Sequence, residues 1–413
     1  MTVRRVIVVG AGVVGLSTAW FLQEHGVDVT VLDRTGVAAD ASWGNAGWLA
    51  PALTLPLPEP SVLRYGLRSA LTPSSPVYVP PTTDLRLLRF LAGFARNCTP
   101  GRWRAALAVF VRANRVALDA YDDLIRGGLA EQTRTADPFL TAFLSEQDRQ
   151  GLLDEFEQVR AAGGEVECEL LDRDTVRSLE PLLGDAVRAG VRIRGQRFID
   201  PPRFLAALAD SVRERGGEIV AGFDAESVRP RADVAEVVAA GGDARSADTV
   251  VLATGARLGD LAGPFGVRTI VQAGRGYSFS VRPAELPKNP IYFPTQRVAC
   301  TPLHDRLRIA GMMEFRSPDA PFDPRRVQAI VEATRPLLGG IDWSAREEEW
   351  VGSRPCTADG LPLVGATRSA RVFVAGGHGM WGVALGPLTG RMLAQAVATG
   401  TPDPLLRHFD PLR

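Results

Sequence analysis

The chain has 413 residues, enough for two domains at roughly 150 residues each. Lys+Arg and Asp+Glu balance at 47 each, and Lys288 is the one lysine, so no basic field points to nucleic acid. Cys98, Cys168, Cys300 and Cys356 are scattered without a C-x-x-C pair, which indicates neither a zinc site nor a disulfide framework; no metal is expected, and a cytoplasmic setting is.

"MTVRRVIVVGAGVVGLSTAWFLQEHG" imitates a signal peptide, with two arginines before an apolar run. Glycines at fixed spacing break the run and a second strand follows, so it reads as part of the fold. No other stretch has the roughly 18 uninterrupted apolar residues of a membrane span. A soluble chain is expected, with peripheral membrane contact left open.

Val6 to Val9 reads as a short strand covered on both faces. Gly10, Gly12 and Gly15 match G-x-G-x-x-G, with Val13 and Val14 inside the turn. Gly10 permits the tight turn, Gly12 lets a pyrophosphate approach the backbone, and Gly15 lets helix and strand pack closely. Leu16 to His25 supplies the helix, its N-terminal amides and dipole facing phosphate. Val27 to Leu32 is the second strand. Asp33 ends it, with Arg34 beside it, 18 residues after Gly15. A carboxylate there accepts both hydroxyl protons of an adenosine ribose and disfavours a 2′-phosphate, so NAD and FAD remain.

"ASWGNAGWLAP" follows, a small-residue loop carrying Ser42, Asn45, Ala46, Gly47 and Leu49. The Pro-rich stretches "PALTLPLPEPSVL" and "TPSSPVYVPPTT" read as extended loops. Helices are expected over 85–96 and 103–126. Asp200 is expected to cap a helix whose first turn holds Pro201 and Pro202 and which ends at Gly216 and Gly217. Thr249 to Ala253 reads as a buried strand ending in Thr254 and Gly255. "GYSFSV", "RVACTPL" and "RLRIAGMMEF" read as strands of an antiparallel sheet, followed by a helix over 325–337. Val372 to Ala375 is a strand and Gly376 to Gly382 a nearly bare loop. A helix follows over 383–398; Pro387 is expected to kink or shorten it, and Gly386 and Gly390 to pack it on the sheet.

The glycine fingerprint, "ASWGNAGWLAP", "FIDPPRFLAAL", "VVLATG", "VGSRPCTADGLPLVG" and "VFVAGGHGMWG" together resemble the FAD-dependent amino acid oxidoreductases of the D-amino acid oxidase superfamily, most of all the bacterial D-amino acid dehydrogenases. The resemblance is strongest at the two ends and weakest over 52–195. It implies an α/β, α+β overall, architecture: a Rossmann-type FAD-binding domain with an inserted antiparallel-sheet substrate domain. The FAD domain would be discontinuous, over 1–51, 195–266 and 351–413, with 52–194 and 267–350 forming the substrate domain.

The resemblance also implies non-covalent FAD. Some sarcosine-type relatives attach FAD through a cysteine, but the matching position here is near Gly352, not Cys356. Beyond the fingerprint, the implied cofactor residues are Ser42, Asn45, Ala46, Gly47, Leu49, Ala253, Thr254, Gly255, Gly377, His378, Gly379, Met380, Trp381 and Gly382. The implied reaction moves a hydride from Cα of an amino acid, most simply a D-amino acid, to flavin N5. The products are an imino acid and then a 2-oxo acid plus ammonia, with oxygen or a quinone-linked carrier taking the electrons. Cyclic or N-substituted amino acids and specialised amines stay open as substrates, and so does a role as an FAD-binding subunit of a larger assembly. No general acid or base is assigned, because a neutral amine already makes the C–H bond hydridic. A substrate carboxylate suits a bidentate guanidinium. Arg354, in the Arg-Pro motif, is the expected clamp; Tyr277, Arg275, His378 and Trp381 are the other substrate candidates. Arg275 departs from the Lys expected near there in the relatives.

Overall fold

The computed structural model describes residues 3–61 and 72–413. Val62 and Leu63, the end of the first Pro-rich stretch, lie outside the described residues.

One sheet has six strands, in the order Glu218–Ala221, Asp28–Asp33, Arg5–Val9, Thr249–Leu252, Val372–Gly376, Leu363–Ala366. The first five run parallel and the last antiparallel. Helix Val13–Glu24 makes the crossover between the strands Arg5–Val9 and Asp28–Asp33. Val6, Val8, Val250, Val251 and Leu252 are buried, as parallel strands covered on both faces require.

A second sheet of nine strands lies beside it. Its long strands are Val271–Val281, Arg306–Phe315 and Glu347–Thr357, and it is mostly antiparallel. Two parallel pairs depart from the expected pattern: Ile291–Phe293 with Phe139–Phe143, and Arg306–Phe315 with Val77–Tyr78. Strand Glu347–Thr357 pairs with Val271–Val281 over most of its length, so the nine-stranded sheet runs across the division drawn at residue 351. A small sheet of Trp48–Leu49, Gln196–Phe198 and Arg134–Ala136 joins both sides of the divisions drawn after residues 51 and 194.

The first two expected helices of the middle segment span Leu85–Asn97 and Pro100–Arg126. The Asp84 carboxylate caps the first, accepting from the amides of Arg86 and Leu87. Asp200 behaves differently from its expected role. A capping side chain takes the amide of the second or third helical residue, and Pro202 has no N–H to give. The Asp200 carboxylate instead turns inward and lies 3.4 Å from His304 Nδ1 and 3.9 Å from Arg306.

The C-terminal helix, Gly382–Thr399, runs unbroken through Pro387. Proline removes the N–H that would have met the carbonyl of Val383. The buried Tyr121 hydroxyl donates to that carbonyl at 2.5 Å, so the orphaned acceptor is satisfied from helix Pro100–Arg126. The small face of this helix meets helix Val13–Glu24, not the sheet. A Cβ on Gly390 would stand 2.7 Å from the Ser17–Thr18 peptide, and one on Gly386 would stand 3.2 Å from Val13.

Candidate cofactor and substrate site

A cavity of about 680 Å³ opens at the carboxyl ends of the parallel strands. That is where ligands bind in open α/β sheets, because the strand-to-helix loops gather there. Gly10, Gly12, Val13, Val14, Asp33, Arg34, Ser42 and Asn45 line it from the N-terminal segment. Ala253, Thr254 and Gly255 line it from the fourth parallel strand, and His378, Gly379, Met380 and Gly382 from the terminal loop. Arg354 reaches it from the nine-stranded sheet.

The glycine turn is tight for steric reasons. Gly10 has φ +114°, and a Cβ there would lie 2.4 Å from the carbonyl oxygen of Ala253. A Cβ on Gly15 would lie 1.9 Å from the Gly10 oxygen. Ser42 Oγ accepts from the Val13 amide at 3.1 Å and so ties the second loop to the helix start. Asp33 accepts from three amides, Ala11, Thr35 and Gly36, each at 2.8 Å. A carboxylate has about four lone-pair positions, so acceptor capacity for a ribose hydroxyl is left.

Several expected residues stand behind the lining instead of in it. Gly47 has φ +76°, and a Cβ on it would meet the Ile199 oxygen at 2.2 Å. Its amide bonds Asn45 Oδ1 at 2.8 Å. The Ala46 carbonyl accepts from Thr301, and Leu49 is fully buried in the core. Gly377 packs on Thr357. Trp381 turns away from the cavity and donates its ring N–H to the Leu55 carbonyl at 2.6 Å.

His378 is buried, with Nε2 2.8 Å from Thr389 Oγ1 on the C-terminal helix. Burial pulls its pKa from 6.5 down to about 4, so the ring is neutral at neutral pH. Its Nδ1 has no hydrogen-bond partner among the described residues and is available to a bound group.

Arg354 is half-buried and donates to the Met312 carbonyl at 2.8 Å. Burial lowers its pKa from the ordinary guanidinium value. No carboxylate among the described residues pairs with it. Gly276 on the neighbouring strand makes its space: a Cβ there would lie 2.2 Å from the guanidinium carbon.

Tyr277 and Arg275 are not at the cavity. They sit on the opposite face of strand Val271–Val281 from Gly276, because successive side chains alternate across a strand. Tyr277 donates to Glu314 Oε2 at 2.7 Å and packs in the core that includes Phe279 and Ile330. Arg275 bonds the Pro321 carbonyl at 3.1 and 3.2 Å and lies 3.6 Å from Glu314. Both are structural in this fold.

The cavity also takes residues that no motif marked, among them Asp40, Phe223, Arg257, Pro318 and Ser353. Asp40 accepts from the Ser353 amide at 2.9 Å and ties the dinucleotide loop to the strand that carries Arg354. Desolvation raises its pKa, with Arg34 and Arg257 pulling the other way. Phe223 follows the strand Glu218–Ala221, so the strand-end rule was the signal that could have found it.

A bare glycine turn at a helix start, a ribose acid, arginines and an unpartnered histidine nitrogen fit a flavin dinucleotide. Position 352 accepts no side chain: a Cβ there would lie 2.0 Å from the Trp350 ring and 3.0 Å from the Ala41 Cα. Cys356 is buried, and burial pushes its thiol up to about 12.

This combination defines a flavoprotein of the amino acid oxidase type. Residues 5–396 match the DAO family, described as FAD dependent oxidoreductase, and the chain belongs to that family and is an FAD-dependent enzyme. It is 31% identical to a D-amino acid dehydrogenase of Cereibacter sphaeroides over 407 residues, 97% of this chain and 93% of the relative. A D-amino acid dehydrogenase of Azorhizobium caulinodans is 30% identical, with 97% of each chain covered. Among solved structures, glycine oxidase from Geobacillus kaustophilus shares the fold with a TM-score of 0.75 at 21% identity, over 99% of each chain. Among the described residues no helix is long and apolar enough to cross a membrane.

Proposed function

We propose that the protein oxidises a D-amino acid at its Cα–N bond to an imino acid, which water then converts to a 2-oxo acid and ammonia. The observation that carries this reading is Arg354, a guanidinium at the cavity with no carboxylate among the described residues to neutralise it. It would take the substrate carboxylate through paired N–H donors. Its anchor on Met312 and the space left by Gly276 hold the fork in one orientation before substrate arrives. FAD, when bound, supplies the two-electron acceptor for the Cα hydride. The protein's part is orientation and exclusion of water. The neutral His378 offers its Nδ1 for a hydrogen bond, not a charge, beside the cofactor.

The handedness rests on the relatives, which are named D-amino acid dehydrogenases. That name also favours an acceptor other than oxygen. The four free cysteines support a cytoplasmic setting. The test is an anaerobic absorbance titration of the oxidised protein with D- and L-amino acids, prolines, glycine and sarcosine. Bleaching by the D-series supports the reading. Bleaching by the L-series, or by glycine and sarcosine alone, refutes it. Slow reoxidation on readmitting air supports the dehydrogenase assignment.

A further inference from the structure

Strand Glu347–Thr357, which carries Arg354, is the edge of the nine-stranded sheet, and Val271–Val281 is its one ladder partner among the described residues. An edge strand leaves a row of N–H and C=O groups unpaired along its free side. The Ser353 N–H points to that side, where Asp40 Oδ1 accepts it at 2.9 Å. Amides two apart on a strand point the same way, and the next one on this side, at Pro355, has no N–H to offer. Ser353 is therefore the free-edge donor beside Arg354. Two residues beyond Arg354, Cys356 forms an isolated antiparallel bridge with His378. Arg354 thus lies between two points at which the edge is pinned, and both pins, Asp40 and His378, line the cofactor cavity.

The loop that carries Asp40 is seated on the same strand at further points. A Cβ on Gly352 would stand 3.0 Å from the Ala41 Cα, and one on Gly44 would stand 2.1 Å from the Trp350 ring. The Gly44 carbonyl accepts from Ser278 Oγ at 3.0 Å, on the strand that pairs with the edge. At its other contact, Ser42 of this loop holds the Val13 amide at the helix start. The loop therefore joins the dinucleotide turn to the clamp strand.

The guanidinium end of Arg354 is fixed by the Met312 carbonyl and the gap at Gly276. Its backbone end is fixed, one residue away, by Asp40. A productive site tolerates about 0.5 Å and 10–20° of misplacement, and a long side chain turns a small tilt of its backbone into a larger shift at its tip. The backbone pin therefore matters to the aim of the fork as much as the contacts at its tip.

We propose that Asp40 is the positioning residue of the carboxylate clamp: by holding the Ser353 amide it makes the aim of Arg354 depend on the cofactor loop. The inference rests on the reading of Arg354 as the clamp. The loop is fixed when the cavity is filled, the edge is fixed by the loop, and the fork is aimed by the edge, so the carboxylate site is complete only in the loaded enzyme. What Asp40 supplies to Ser353 is an acceptor oxygen, and an asparagine supplies the same oxygen without the charge.

The experiment measures KM and kcat with an artificial electron acceptor, for the amino acid that reduces the flavin fastest, in the wild type, Asp40→Ala, Asp40→Asn, Arg354→Ala and the Asp40→Ala, Arg354→Ala double variant. Excess FAD is present throughout, so a loss of cofactor affinity does not enter KM. Asp40→Ala leaves the Ser353 N–H unmet and is expected to raise KM about tenfold with kcat within about twofold. Asp40→Asn should stay within about threefold of the wild type, because the acceptor is retained. In the Arg354→Ala background, Asp40→Ala should move KM less than about twofold, because no fork is left to aim. In the wild type itself, hydrogen exchange of the Ser353 amide should slow several-fold when FAD is added to flavin-free protein. An equal rise in KM in both backgrounds overturns the proposal, as does an Asp40→Asn enzyme as impaired as Asp40→Ala, or a Ser353 amide that exchanges alike with and without FAD. If Arg354→Ala raises KM and Asp40→Ala does not, only the role of Asp40 falls. If Arg354→Ala leaves KM unchanged, the clamp reading falls and takes this one with it.

Discussion

The Tyr121 hydroxyl is asked to do what a backbone amide does elsewhere. Pro387 leaves the Val383 carbonyl without its helical partner, and Tyr121 supplies the hydrogen bond at 2.5 Å in a fully buried setting. Tyr121→Phe removes the donor and little else, and a buried acceptor left unmet costs about 1–3 kcal/mol. That carbonyl lies in the first turn of the helix whose Gly382 and Val383 line the cavity. The loss should therefore appear as easier local opening of residues 382–390 and as weaker flavin retention. Pro387→Ala restores an N–H four residues on, so in that background Tyr121→Phe should cost less than about 0.5 kcal/mol. The difference is a coupling of at least about 0.5 kcal/mol between two residues 266 positions apart. Hydrogen exchange of the 382–390 amides in the four proteins of the cycle measures it as local opening free energies. Equal losses in both backgrounds would refute the substitution of side chain for backbone.

Two further outcomes follow from the site. Arg354→Ala should keep its flavin but raise KM for carboxylate substrates about 100-fold or more, the usual scale for losing one partner of a hydrogen-bonded charge pair; an unchanged KM removes Arg354 from substrate binding. His378 titrates at about 4 in the fold against an ordinary 6.5, so the unfolded chain takes its proton first as pH falls. Its contribution should be constant above about pH 6.5, decline by about 3 kcal/mol down to about pH 4, and level off below. Urea midpoints of the wild type minus those of His378→Gln, taken across that range, isolate it, and a flat difference curve contradicts the buried, neutral ring.

The N-terminal strand–turn–helix was legible because its glycines, apolar run and acid lie in one short stretch. Strand Arg306–Phe315 was legible to the residue because its apolar run ends in clear turn residues at both sides. Which face of strand Val271–Val281 looks into the cavity was not legible. All eleven of its residues are buried, so polarity does not distinguish the site face from the core face, and Tyr277 and Arg275 fell on the core side. The passage of the last helix through Pro387 depends on a hydroxyl from a distant helix, which local propensity does not contain. Asp40 and Ser353 meet across 313 positions, and no spacing rule reaches that far.

The pairing of Gly276 with Arg354 has a consequence for descent. The guanidinium occupies the volume that a side chain at 276 would fill, so a bulky 276 and an inward Arg354 exclude one another. A lineage that keeps the clamp must keep the gap. One that trades the clamp for other chemistry is released at both positions together. If Arg354 is the clamp proposed above, a bulky side chain at 276 is expected to disturb carboxylate binding as directly as a substitution at 354.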